Sequence, residues 1–111
     1  MNGLMTKQND EGLIWATVNL DAVAGSQSVT ATLPGGASGK PKQLRASGAV
    51  GGSVSMNFGN NQQVTVLVNP NAPPDEKPIP AQASGVTQSI SLTVFAAAAG
   101  YIFITVGFKP A

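Results

Sequence analysis

The chain has no cysteine and no histidine. Without cysteine it has no disulfide frame, no thiolate nucleophile and no redox signature of its compartment. Without histidine it lacks the commonest general base and the commonest metal ligand together. Charge is scarce too. Six Lys and Arg stand against five Asp and Glu, 10% of the residues where ~25% is usual, and the net charge is +1. Such a balance leaves no electrostatic footprint for a nucleic-acid partner. The apolar stretch at residues 94–106 is shorter than the ~18–20 residues that a membrane helix needs, so no membrane partner is expected. Residues 1–11 have no signal-peptide shape, and no Asn-x-Ser/Thr sequon occurs.

In place of charge come Gly, Ala, Ser, Thr, Asn, Gln, Val and Pro across 111 residues, enough for one domain with a modest core. Residues 1–11 are polar and aperiodic and read as a flexible or docking arm; residues 12–111 read as the domain. Alternation of period two marks the strands. Ile14, Ala16, Val18 and Leu20 form one inward set, and Val29, Ala31 and Leu33 another. A weaker strand is expected near residues 42–47. Val54, Met56 and Phe58 lead into Gly59-Asn-Asn-Gln62, whose residues tolerate positive φ, and Val64, Val66 and Val68 return as a hairpin. Ile90, Leu92 and Val94, then Ile102, Ile104, Val106 and Phe108, close the chain as a final hairpin or crossover pair. Ala96–Ala99 is too short to nucleate a helix among β-branched neighbours and reads as a loop or single turn.

Residues 69–85 hold five of the eight prolines and read as a Pro-rich loop, barred from any central strand. The expectation is an all-β antiparallel β-sandwich, jelly-roll or Ig-like, with about seven strands and essentially no helix.

The chemistry-bearing patterns are weak. Gly35-Gly-Ala-Ser-Gly-Lys40 resembles a phosphate loop only in flavour. Pro34 stands where the first Gly is needed, and Pro41 follows the lysine. Lys40, Lys42 and Arg45 cluster in what reads as a solvated loop. Asp10–Glu11 and Asp75–Glu76 lie in polar or Pro-rich segments, poorly placed to raise a carboxyl pKa for glycoside hydrolysis. Asp10, Glu11 and Asp21 could in principle supply calcium oxygens, but they lack an Asp-x-Asp spacing. No serine has a histidine to activate it. The expectation is therefore no enzyme, no cofactor and no metal.

Aromatics are more informative. Trp15 falls opposite the inward set of its strand, as do Phe95, Tyr101 and Phe103. Either these strands are buried on both faces, or the four residues form an exposed interface, with sugar stacking a lesser alternative. The last strand also reads as an edge guarded only by Lys109 and Pro110, a liability unless a neighbouring subunit covers it.

Composition typical of an outer surface, with no visible export signal, fits a bacteriophage virion protein made in the host cytoplasm. The leading expectation is a capsid decoration (cement) or minor capsid protein, a homo-oligomer (trimer or larger) that binds a capsid or other virion protein. The alternatives are a carbohydrate-binding module or lectin, with glycan held by Trp15 or Tyr101 and by Asn60, Asn61, Gln62 and Gln63, and an Ig-like surface or tail-fibre module.

Overall fold

The computed structural model describes residues 12–57, 63–79 and 85–111. The expected arm at residues 1–11 and the tip of the expected hairpin, with Phe58, Asn60, Asn61 and Gln62, lie outside them. The described residues form eight strands: β1 (Ile14–Ala22), β2 (Gly25–Thr32), β3 (Gly39–Gly48), β4 (Gly52–Asn57), β5 (Gln63–Val68), β6 (Asp75–Pro78), β7 (Ser89–Ala96) and β8 (Gly100–Pro110). The one helical piece among them is a 3-10 turn at Pro34–Gly36, where Gly35 and Gly36 take φ of 66° and 73°.

The strands make two antiparallel four-stranded sheets, β1-β8-β3-β6 and β2-β7-β4-β5. Four of the pairings are nested: β1 with β8, β2 with β7, β3 with β6, β4 with β5. The chain behaves as one long antiparallel hairpin, closed at β4–β5, whose successive rungs fall alternately in the two sheets. Pairing of β3 with β8 and of β4 with β7 completes each sheet. This is jelly-roll connectivity, and the Ig-like alternative drops out.

The core follows the period-two sets. Ile102, Ile104, Val106 and Phe108 of β8 are fully buried, as are Ala31, Val54, Val66 and Val94 from the four strands of the second sheet and Leu44 from β3. Each large side chain so buried contributes ~1.5–3 kcal/mol of transfer free energy.

Three expectations need correction. The Pro-rich segment is not loop throughout: it contains β6, which brings the strands among the described residues to eight where about seven were expected. β6 is a four-residue edge strand that ends at Pro78, where no ladder donor is required. Lys40, Lys42 and Arg45 are in β3, not in a loop. A bulge between Pro41 and Gln43 absorbs the proline and turns both Pro41 and Leu44 inward. Of the two arrangements expected for the last two strands, hairpin or crossover, the crossover is found: after β7 the chain bends through Ala97–Ala99 and joins the other sheet. Finally, β8 is not an edge strand. It sits between β1 and β3, so Lys109 and Pro110 guard nothing.

Gly52 marks the tightest approach in the second sheet, where a Cβ would run into the Phe95 carbonyl oxygen. Gly52→Ala is therefore expected to cost on the order of 2–4 kcal/mol in urea unfolding. Gly85→Ala, which meets nothing within 4 Å, should stay within ~0.5 kcal/mol.

Candidate functional site

Because Val94 and Ala96 point into the core, Phe95 must point out of the second sheet; because Ile102 points in, Tyr101 points out of the first. The four candidate aromatics therefore divide. Trp15, Tyr101 and Phe103 share the outer face of β1 and β8, whereas Phe95 lies alone on the opposite outer face of the sandwich.

On the first sheet the register aligns three cross-strand rows: Trp15–Gly107–Gln43–Pro78, Thr17–Thr105–Arg45–Glu76 and Asn19–Phe103–Ser47. Tyr101 and Phe103 stack with centroids 6.5 Å apart and planes at 25°. The Tyr101 hydroxyl donates to Asn19 Oδ1 at 2.6 Å, which anchors the ring while leaving it 46% exposed. Trp15 is half-buried because Gly107 offers it bare backbone. A Cβ there would lie 2.9 Å from Trp15 Cη2 and 3.1 Å from Leu13 Cδ1. Over the indole sits the Arg45 guanidinium, 4.8 Å from the ring centre, and Arg45 pairs in turn with Glu76 at 3.0 Å. Gly107, Trp15, Arg45 and Glu76 thus tie all four strands of this sheet across its outer face. With both ionic partners about one-third exposed, the ion pair itself adds under ~1 kcal/mol. The stacked cation on Trp15 adds ~0.5–1 kcal/mol.

Beneath this cover Thr105 is only 9% exposed, and its Oγ1 and Gln43 Oε1 are buried without a hydrogen-bond partner among the described residues. The outer face of the second sheet is different in kind. Ser28, Thr93, Ser55 and Thr65 form one row across all four strands, with Ser55 and Thr65 hydrogen-bonded at 2.9 Å. Ser26, Thr30, Thr32, Ser53, Ser89 and Ser91 surround that row, and Phe95 lies between Ser26 and Ser53 in register.

The carboxylates do not converge. Asp75 accepts the Leu67 N–H at 2.9 Å, while the neighbouring Glu76 points to the outer face and Arg45. No group of His, Cys, Asp and Glu able to hold a metal occurs among the described residues, and Asp10 and Glu11 fall outside them. Of the expected glycan-binding amides only Gln63 is described, exposed at the start of β5. Sequence reasoning missed Arg45, Asn19 and Gly107 as parts of the aromatic face. An isolated glycine inside the most apolar strand was the available signal, since such a residue marks close approach of a neighbouring group.

No family model, curated protein or solved structure matches the chain.

Thr105→Val keeps the side-chain shape and removes the unpartnered hydroxyl. It is expected to raise unfolding stability by about 1 kcal/mol. A loss of similar size in urea titration would mean that the hydroxyl is paired.

Proposed function

We propose that this is a non-enzymatic structural protein, a bacteriophage virion component of the capsid decoration or minor capsid type, which works by packing against copies of itself and against a shell. The observation that carries the reading is the aromatic face of β1 and β8. Trp15, Phe103 and Tyr101 stand on β1 and the central β8, braced by Gly107, Arg45 and Asn19, with Tyr101 46% exposed and Trp15 and Phe103 only partly buried. Aromatic side chains fixed in place and left wet are the composition of interface anchors, because little rotamer freedom remains to be lost on docking. A jelly roll is shared by viral capsid domains, lectins and cupins, so the fold is compatible with the reading without deciding it. The low charge also supports it, since large buried contacts between subunits are depleted in Lys, Asp and Glu.

Glycan binding is the second reading, and one observation favours it. The Tyr101 ring presents a stacking surface beside the Asn19 amide, the pairing of aromatic face and polar group that a sugar ring accepts.

Tyr101→Ser separates the two. Tyr101 is on the surface, so the variant should keep its fold. Under the structural reading the wild type sediments with empty shells and Tyr101→Ser does so at least ~10-fold more weakly, equivalent to about 1.4 kcal/mol or more at a central anchor. Sedimentation unchanged by the substitution, together with specific binding on a glycan array, would move the function to the second reading.

A further inference from the structure

The two sides of the sandwich are not alike. One side carries the edges β5 and β6, and it is closed to further strands. β6 has four residues, ends in Pro78, and places Asp75 and Lys77 opposite the inward Ala46 and Leu44 of β3. Asp75 then reaches across to take the Leu67 N–H of β5, which consumes a donor that the edge would otherwise present. Short length, proline and inward charge are the devices by which edges are protected. The inner side chains beside them are covered: Val66 is 0%, Val68 4% and Ile79 4% exposed.

The other side carries the edges β1 and β2 and has none of these devices. The strands are nine and eight residues long, pair without a bulge and contain no proline. Their only charge is Asp21, near the end of β1, and β2 has none. The core is also incompletely closed here. Ile14, Val18 and Leu20 of β1 and Val29 of β2 point inward yet remain only partly buried.

We infer that the β1/β2 side is a homodimer seam, at which a second copy of this chain adds its own β1 and β2 across a two-fold axis. The inference deepens the structural reading above by naming the surface through which copies associate. A two-fold axis perpendicular to the sheets lays β1 antiparallel to its counterpart and β2 antiparallel to its own, so one operation extends both sheets. An isologous contact requires a self-complementary patch, and an uncharged β2 opposes no like charges to itself. Across β1 a two-fold centred near Val18 sets Asp21 opposite Trp15 rather than opposite the second Asp21. Strands of about 30 Å in two layers present on the order of 600 Å² per copy before outward side chains are counted, the lower range of a specific interface. The partly covered Val18, Leu20 and Val29 of each copy would close over one another. A dimer is the unit this seam builds, and the aromatic face stays free for the shell.

The chain has no cysteine of its own, which makes single-cysteine scanning clean. Cysteines are placed one at a time at Gln27, Ser28, Val29 and Thr30 on β2 and, as controls, at Thr65 on the guarded edge and Tyr101 on the aromatic face. Each variant is oxidised in the full chain, and its mass is followed by light scattering. The seam predicts a wild-type dimer and disulfide-linked dimers that peak at one β2 position, fall off on both sides, and form at least about tenfold faster than at Thr65 or Tyr101. Val29→Lys should shift the mass from two chains to one while unfolding as cooperatively as the wild type. An oligomer that cross-links at Tyr101 or Thr65 instead overturns the seam but leaves the self-association reading intact. A monomer at all concentrations overturns the seam, whether residues 1–11 or a foreign strand covers that side. Retained sedimentation with shells would show that the structural reading survives it.

Discussion

The structure depends on covering β8 on both of its faces. It is the central strand of the first sheet, held by β1 on one side and β3 on the other, and its inward residues Ile102, Ile104, Val106 and Phe108 supply the middle of the core. The outward face of that strand would be a strip of water-exposed apolar and hydroxyl groups if nothing lay across it. Gly107 leaves room for the Trp15 ring, Arg45 stacks on the ring, and Glu76 holds Arg45, so that Thr105 and Gly107 are buried from outside as well. The cover ends at Phe103 and Tyr101, where the Tyr101–Asn19 side-chain hydrogen bond links β8 to β1. The exposed aromatic face is therefore the unfinished part of one continuous covering.

Nested pairing has a second consequence. A hairpin rolled into two sheets has four edges, β1, β2, β5 and β6, that collect on two sides of the sandwich. The side near the closed end of the hairpin is reached by the short β5–β6 connection, and one carboxylate, Asp75, serves both sheets there. The opposite side is joined by the corner between β1 and β2, where Gln27 Oε1 accepts the Val23 N–H, and among the described residues no further strand pairs with either edge.

Much of this was legible in the residues. Alternation at Ile14–Leu20, Val54–Met56, Val64–Val68 and Ile90–Val94 places those side chains inward, and they are buried except at Ile14, Val18 and Leu20, which are partly buried against the core. The outward direction of Trp15, Phe95, Tyr101 and Phe103 was legible for the same reason. What a single strand cannot encode is its neighbour. Period two says that Phe95 and Tyr101 both point away from the core. It cannot say that the chain changes sheets at Ala97–Ala99 and thereby sends them to opposite faces. Nor does it say that β8 is central, because edge or centre is a property of long-range pairing. β6 was hidden by its own protective features: proline and charge make a strand a poor sequence signal and a safe edge for one and the same physical reason. Arg45 looked like a loop cation because Gly and Pro precede it, while its cover over Trp15 comes from a register that the bulge after Pro41 sets.

The central claim, that the chain assembles through its unguarded side, is tested most directly by amide hydrogen exchange at two concentrations, one below and one above the assembly midpoint. The account predicts added protection in β1 and β2 on assembly, with β5 and β6 exchanging at unchanged rates. Equal exchange in β1 and β2 at both concentrations, or new protection confined to β5 and β6, would contradict it.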